Sequence, residues 1–235
     1  MQFEEIKSKI VVALDVKTLE EAKHLVDELK DYTGTFKVGL QLYCAFGNEI
    51  VDYIKGQNAN FFLDVKLMDI PNTVAGAANS LVSRGASFFN VHTLGGVEMM
   101  RAAKKAADEI NPETIVLGVT VLTSISDEIL QNEIKVNENA SDYALYLAGL
   151  AKEAGLTGVV ASAHEAKRIK EKLGADFKVL CPGIRPEYTS VDDQKRVATP
   201  KFAIQEGADW IVLGRAITKA ENPKEAMKKV FEELK

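Results

Sequence analysis

The segment Asp64-Val-Lys66-Leu-Met-Asp69 places three charged residues at the end of an otherwise apolar run of the chain. On an extended strand, residues two apart point to the same face, so the Asp64 carboxylate and the Lys66 ammonium should lie side by side. Asp69 follows where Pro71 prevents the strand from simply continuing. Because burying an unpaired charge is costly, the alternation indicates either a structural ion network or a site that uses charge.

Two further charged residues lie in earlier apolar runs. Asp15 comes near the end of the first run, Ile10–Val16, and Lys37 lies inside the second, Thr35–Leu40. If these runs form strands next to the one that carries Lys66, two lysines and three carboxylates come close together. Such an array can neutralise itself while remaining strongly polar. Its position at the ends of strands favours the functional interpretation over the structural one.

The elements that must position these residues follow a regular alternation. Eight runs of β-branched and apolar residues recur, which are Ile10–Val16, Thr35–Leu40, Phe61–Leu67, Phe88–Thr93, Thr114–Leu122, Gly158–Ala163, Lys178–Gly183 and Trp210–Ile217. Nearly continuous apolar runs are typical of parallel strands covered on both faces, and the segments between them show helical spacing. The alternation predicts an α/β protein, a single (β/α)8 TIM barrel over residues 1–235. An open doubly wound sheet uses the same alternation, but it usually has a glycine-rich turn after its first strand, and Asp15-Val-Lys-Thr18 has no glycine.

The last two strands carry a candidate phosphate site. Barrel enzymes bind their substrates at the carboxyl ends of the strands and often bind phosphate after strands seven and eight. Those ends carry Arg185 and Arg215, with Gly183 and Gly214 nearby. Arginine supplies forked donors, and glycine lets the backbone approach an anion. The polar stretch Ile184–Thr199 between the two ends is either a surface loop or a lid that closes over the phosphate.

Composition and charge argue against several classes of function. The chain has 235 residues and a net charge of −5, which disfavours broad neutralisation of nucleic-acid phosphates. No apolar run is long enough to span a membrane and no signal peptide is recognisable, so we expect a cytoplasmic protein. Cys44 and Cys181 form no CxxC pair and no two histidines have metal-ligand spacing, so no metal site is expected. His92, beside Asn90, is either a hydrogen-bonded structural residue or a catalyst.

The charged segment continues without a gap into Ile-Pro-Asn-Thr, and Asp64-Val-Lys66-Leu-Met-Asp69-Ile-Pro-Asn-Thr73 resembles the signature of the orotidine 5′-phosphate decarboxylase family. The resemblance extends over the whole chain. It includes Ala13-Leu14-Asp15, Phe36-Lys37-Val38-Gly39, Asn90-Val91-His92, Val119 to Ser124, Pro182-Gly183-Ile184-Arg185, Gln194 and Val212-Leu213-Gly214-Arg215. The spacing is similar to that of the short bacterial form, and Met68 stands where relatives often have histidine or a polar residue.

The resemblance implies a specific reaction. Orotidine 5′-monophosphate would lose carbon dioxide to give uridine 5′-monophosphate, the last step of de novo pyrimidine synthesis, with no cofactor or metal. Lys66 would protonate C6 of the pyrimidine within the array Lys37-Asp64-Lys66-Asp69. The residues matched to substrate contacts are Asp15, Lys37, Asp64, Ile70, Pro71, Asn72, Thr73, Thr123, Ser124, Pro182, Arg185, Gln194, Gly214 and Arg215. The family is dimeric, which implies a homodimer whose active sites lie at the subunit interface, with Asp69 and Thr73 reaching into the partner's site.

Three other interpretations remain open. Metal-dependent sugar-phosphate decarboxylases and aldolases of the same superfamily share Asp-x-Lys-x-x-Asp, but they add an acidic metal ligand, and the continuous Ile-Pro-Asn-Thr argues against them. An enzyme that uses Lys66 to form a Schiff base would require a carbonyl substrate. A non-catalytic barrel would bind a nucleotide, such as uridine 5′-monophosphate, without turning over orotidine 5′-monophosphate.

Overall fold

The computed structural model describes residues 1–186 and 198–235, and within these ranges eight parallel strands close into a barrel. The strands are β1 (Ile10–Ala13), β2 (Thr35–Gly39), β3 (Asn60–Leu67), β4 (Phe88–His92), β5 (Ile115–Val119), β6 (Gly158–Val160), β7 (Lys178–Ile184) and β8 (Trp210–Leu213). Each strand pairs with the next in sequence, and β8 pairs with β1. This topology confirms the (β/α)8 barrel and rules out the open doubly wound sheet.

Helices connect successive strands and cover the outside of the barrel. They are α1 (Phe3–Lys9), α2 (Leu19–Leu29), α3 (Leu40–Phe46), α4 (Asn48–Gly56), α5 (Pro71–Ser83), α6 (Gly96–Asp108), α7 (Asp127–Asn132), α8 (Ala140–Glu153), α9 (Ala163–Leu173), α10 (Pro200–Gln205), α11 (Arg215–Thr218) and α12 (Pro223–Leu234). The sequence specifies several starts: Thr18 caps α2 in a capping box with Glu21, and Asn222 caps α12 just before Pro223. None of the described helices is long and apolar enough to cross a membrane.

The barrel is filled from its amino end, which leaves the carboxyl end for a site. The first residues of β4 and β8, Phe88 and Trp210, pack edge to face with ring centroids 5.0 Å apart. Phe62 lies against Phe88 at 6.0 Å, and aliphatic side chains such as Leu117 complete this inner core. A separate, larger apolar core lies between the strands and the helices. Close packing of the lower barrel makes it a rigid support for the residues above it.

Several strands end earlier than the apolar runs predict. β1 ends at Ala13, although Leu14 beyond it is completely buried. The predicted strand Trp210–Ile217 was wrong beyond Leu213, because Arg215 begins α11 and places buried Ile217 in that helix. The physical reason is that apolar content reports burial, and buried loop and helix residues next to a strand have the same composition as the strand.

The connection after β7 is only partly described. Ile184, the last residue of β7, forms a bridge with Ala198, so the two ends of the predicted loop or lid meet beside the barrel. Residues 187–197, which contain Gln194, lie outside the described residues.

Candidate active site

A chain of ion pairs joins the first three strands at the carboxyl end of the barrel. Lys37 Nζ lies 3.1 Å from Oδ1 of Asp15 and 3.2 Å from Oδ2 of Asp64. The other oxygen of the Asp64 carboxylate accepts a hydrogen bond from Lys66 Nζ at 2.6 Å. Strand pairing places these groups side by side, because Lys37 pairs with Ala13 of β1 and Asp64 pairs with the last residue of β2. The structure thus brings Asp15, Lys37, Asp64 and Lys66 together.

Burial and mutual attraction fix the charges of the two central groups. Burial alone would lower the pKa of Lys37, whose side chain is 9% exposed, but the charges of Asp64 and Asp15 outweigh it and raise that pKa. Burial alone would raise the pKa of Asp64, but Lys37, Lys66 and a hydrogen bond from Asn90 outweigh it and lower that pKa. Both groups are therefore charged at neutral pH, and the Lys66 ammonium faces a permanent carboxylate.

The spacing of Asp64 and Lys66 predicted a regular strand, but in the structure Lys66 lies in an irregular part of β3. Leu63 pairs with Phe89 and Leu67 pairs with Val91, so β3 has two more residues than β4 over this interval. Lys66 itself has a φ of 49°, in the left-handed region that lysine rarely adopts. A bulge of this kind redirects side chains next to a site. Lys66 meets Asp64 through the bulge and not through the pleat of a regular strand, which corrects the reason for their proximity.

Two adjoining cavities open above the array. The first, of about 360 Å³, is lined mainly by apolar side chains and also by Thr123 and Ser124. The second, of about 930 Å³, is lined by more polar residues, including Asp15 and Arg185. They share Lys37, Asp64, Pro182, Val212 and Arg215. Together they form one site with an apolar end and a charged end, and the ion pairs lie where the two ends meet.

The charged end contains both predicted arginines. Arg185 follows β7, is 9% exposed and donates from Nη1 to the Ile184 carbonyl at 3.3 Å. Arg215 is the first residue of α11, directly after β8. Gly183 has a φ of 75°, which favours glycine, whereas an added Cβ at Gly214 would meet only Ala13, at 3.9 Å. Glycine at 214 therefore keeps space beside Arg215, which an anion such as phosphate could occupy.

The segment 69–73 lies apart from these cavities in the single chain. Asp69, Ile70, Pro71, Asn72 and Thr73 are all exposed, where the chain leaves β3 and begins α5. Oδ1 of Asp69 accepts from the Ile70 amide at 2.6 Å, and among the described ion pairs none joins Asp69 to either lysine of the array. One chain therefore assembles the array without Asp69, and the predicted four-member array Lys37-Asp64-Lys66-Asp69 is incomplete within it.

His92 ends β4, and its contacts support the structural interpretation. Its Nδ1 accepts from the Leu94 amide at 3.4 Å, which caps the short 3-10 helix Thr93–Gly95. Burial lowers the pKa of His92, and the nearby charge of Lys66 lowers it further, so the imidazole is neutral at neutral pH. Across residues 1–186 and 198–235, no three His, Cys, Asp or Glu side chains are grouped so that they could hold a metal ion.

Sequence reasoning assigned no role to Gly39 or Asn90. An added Cβ at Gly39 would lie 2.9 Å from both Asp15 Oδ1 and Lys37 Nζ, so any larger residue would press against the ends of both paired side chains. Asn90 is completely buried and hydrogen-bonds both to Asp64 and to the Lys66 backbone. Two features of the sequence could have indicated them. Gly39 follows Lys37 by two residues, and Asn90 is a polar amide inside the apolar run that forms β4.

Comparisons with known proteins identify the family. Residues 8–230 match the family model described as orotidine 5′-phosphate decarboxylase / HUMPS family. The chain is 43% identical to the orotidine 5′-phosphate decarboxylase of Moorella thermoacetica, over 97% of this chain and 92% of that protein, and 47% identical to that of Idiomarina loihiensis, over 92% and 93%. The crystal structure of orotidine 5′-phosphate decarboxylase from Lactobacillus acidophilus matches with a TM-score of 0.83 and 36% identity, over 97% of this chain and 99% of that one. The chain belongs to the orotidine 5′-phosphate decarboxylase / HUMPS family.

Proposed function

We propose that this protein is a carboxy-lyase that converts orotidine 5′-monophosphate to uridine 5′-monophosphate and carbon dioxide, the last step of de novo pyrimidine synthesis. Family membership supports the reaction. One observation carries the proposal: the Lys66 ammonium is held 2.6 Å from the Asp64 carboxylate, where an apolar cavity meets a charged one that contains Arg185 and Arg215. A nucleotide has matching parts, because its planar base suits the apolar end and its phosphate suits the arginines.

The chemistry requires a fixed cation. Cleavage of the bond between C6 and the carboxylate carbon releases carbon dioxide and leaves an electron pair at C6 in the plane of the ring. That pair does not overlap the ring π system, so the ring carbonyls cannot delocalise it, and a preorganised positive charge must stabilise it. Lys66 supplies the charge and then transfers an Nζ proton to C6, which forms the new C–H bond. The neutral amine regains a proton from water before the next turnover.

The remaining residues hold the substrate over Lys66. Asp15 and Lys37 are assigned to the ribose hydroxyls and Thr123 and Ser124 to the pyrimidine. The residues assigned to the phosphate are Arg185, Gln194, Gly214 and Arg215, and Pro182 is assigned to the substrate without a specified part. Rate accelerations near the top of the usual range correspond to about 23 kcal/mol of transition-state stabilisation, more than one lysine can provide. Binding energy from the distant phosphate therefore contributes by fixing the pyrimidine against the ion pairs.

Asp69 is assigned to the active site of a partner subunit in a homodimer. Asp69 lies outside the array of its own chain, and Met68 and Ile70 beside it are 56% and 66% exposed. Exposed apolar residues next to a site mark a surface that another chain can cover. Ile70, Pro71, Asn72 and Thr73 would then complete the partner's cavity. The cytoplasmic location and the absence of nucleic-acid and membrane partners stay predictions.

Turnover of the purified protein tests the proposal. Orotidine 5′-monophosphate is added, the change in ultraviolet absorbance is followed, and the product is identified. The expected result is stoichiometric uridine 5′-monophosphate. Binding of uridine 5′-monophosphate without any absorbance change on addition of orotidine 5′-monophosphate would favour the non-catalytic barrel. Borohydride trapping of a substrate on Lys66 would favour the Schiff-base enzyme.

Arg215→Ala should weaken the reaction of the full substrate far more than that of a substrate without phosphate. Charge-assisted hydrogen bonds to an anion are strong, so we expect kcat/KM for orotidine 5′-monophosphate to fall roughly a hundredfold. This corresponds to a loss of about 3 kcal/mol of transition-state stabilisation. The rate with the nucleoside orotidine, which lacks the phosphate, should hardly change. Steady-state kinetics with both substrates make the comparison. Equal losses on the two would show that Arg215 supports the fold or the chemistry instead.

Gly39→Ala should disturb the Asp15–Lys37 pair without touching the substrate. The new Cβ would lie 2.9 Å from both charged groups, so the ends of these side chains must shift. We expect KM to rise about tenfold, equivalent to ~1.4 kcal/mol, because both groups are assigned to the ribose. Gly56→Ala at the end of α4 is the matched control, since an added Cβ there meets nothing within 4 Å. Unchanged kinetics of Gly39→Ala would show that this pair is not needed for substrate binding.

A further inference from the structure

The side chain of Asn90 bonds both the backbone of Lys66 and the charged carboxylate of Asp64. Its Oδ1 accepts the backbone N–H of Lys66 at 2.7 Å, and its Nδ2 donates to Asp64 Oδ1 at 2.7 Å. That carboxylate oxygen is the same one that receives the Lys66 ammonium. The chemistry of the partners fixes the orientation of the amide, because a backbone N–H needs an acceptor and a carboxylate needs a donor.

The bulge in β3 explains why such a side chain is needed. Between the pairs Leu63–Phe89 and Leu67–Val91, β3 has three residues and β4 has only Asn90. Regular pairing is interrupted there, and the Lys66 N–H is satisfied by the Asn90 side chain. The left-handed conformation of Lys66 is unfavourable by itself and persists only if its surroundings hold it.

Asn90 acts without touching the substrate. Its exposed fraction is 0%, and it lines neither of the two cavities above the array. It holds the backbone from which Lys66 extends and the carboxylate that orients the Lys66 ammonium. Both ends of the lysine are thereby tied to one rigid strand of the barrel.

We propose that Asn90 is a positioning residue that holds the strained Lys66 backbone and the Asp64 carboxylate in register, so that the Lys66 ammonium is aimed at C6. This inference rests on the proposed decarboxylase function. It predicts that loss of Asn90 reduces kcat while the affinity for nucleotide, which depends on other groups, is retained.

Two variants separate positioning from a merely structural role. Asn90→Ala removes both hydrogen bonds, and we expect kcat to fall about a hundredfold, since small misplacements cost this much. KM and the Kd for uridine 5′-monophosphate should stay within about threefold of the wild-type values, because the groups that bind the nucleotide are unchanged. Thr33→Val is the matched control, because Thr33 is also buried and its hydroxyl bonds the Ile10 and Thr35 backbone at the opposite end of the barrel. It should lower the melting temperature and leave kcat unchanged.

Asn90→Asp adds a pH signature. The protonated carboxyl can still accept from the Lys66 amide and donate to Asp64, so activity is retained at low pH. When it ionises it repels Asp64 and competes for Lys66, so kcat falls as pH rises through the apparent pKa of the two carboxyls. Among the described residues, the other titratable groups near this position are Lys37, Lys66 and His92, and they are the same in wild type. The wild type should therefore lack this step.

The measurements are kcat and KM against pH, the Kd for uridine 5′-monophosphate, the melting temperature, and hydrogen exchange of the Lys66 amide. Slow exchange in wild type and fast exchange in Asn90→Ala would support the backbone clamp whether or not the protein turns over orotidine 5′-monophosphate. A folded Asn90→Ala protein with wild-type kcat would overturn the proposal. So would an Asn90→Asp pH profile parallel to that of wild type. Wild-type protein with a protected Lys66 amide and no turnover would count against the proposed function instead.

Discussion

Lys66→Ala is expected to remove nearly all decarboxylation while uridine 5′-monophosphate still binds. The substitution deletes the cation that faces the electron pair at C6 and the proton that C6 receives. Loss of a preorganised electrostatic group typically costs about 10²–10³ in rate, and loss of a general acid about 10²–10⁴. The expected fall in kcat is therefore at least about 10⁴-fold, or more than ~5 kcal/mol.

The control for this variant is another lysine on a strand that is paired with an aspartate. Lys178 begins β7 at the amino end of the barrel and lies 3.1 Å from Asp209. Lys178→Ala breaks a comparable ion pair far from the cavities and should keep wild-type kcat. Single-turnover rates and the Kd for uridine 5′-monophosphate are measured for both. Substantial turnover by purified Lys66→Ala would remove Lys66 from the central role.

Mixing two inactive variants is expected to restore activity if Asp69 serves the partner's site. In a twofold dimer, each site would combine Lys66 of one chain with Asp69 of the other. A dimer of one Lys66→Ala chain and one Asp69→Ala chain then has one site with both lesions and one site with neither. With random pairing, half the dimers are mixed and half of their sites are intact, so about a quarter of wild-type activity should return.

If Asp69 serves the site of its own chain instead, the activity recovered on mixing is different. If Asp69 acts within its own chain, every site of the mixed dimer keeps one lesion and no activity returns. Exchange of chains is verified separately, for example with subunits that carry different tags. No recovery after verified exchange would contradict the shared site, and it would leave the decarboxylase assignment intact.

The fold could be predicted from the sequence because each strand is a separate apolar run. A barrel strand is covered on both faces, so its composition is distinctive, and eight such runs alternate with amphipathic segments. The ends could not be placed in the same way. Leu14 and Ile217 are as buried as the strand residues before them, and they belong to a loop and to α11. Hydrogen-bond pairing decides where a strand ends, and composition does not report it.

The charged residues of the site could also be predicted, but the backbone conformation and hydrogen bonds that hold them in place could not. Asp64 and Lys66 stand out because charges are rare in buried strands. The left-handed backbone of Lys66 and the clamp by Asn90 depend on a mismatch between two strands, which no local pattern reports. Asp69 shows a different limit: its spacing from Lys66 allows it to serve its own chain or a neighbour's, and only the family resemblance implied the partner's site. In the structure Asp69 lies on an exposed turn, outside the array of its own chain.

Fixed protein charges, above all the Lys66 ammonium beside Asp64, should stabilise the electron pair at C6 without a metal ion. The most direct test is the rate of orotidine 5′-monophosphate decarboxylation by wild-type protein before and after treatment with a chelator of divalent metals. We expect the same kcat in both samples. Loss of turnover on chelation and its return on addition of a divalent cation would contradict stabilisation by protein charges alone and favour the metal-dependent branch of the superfamily.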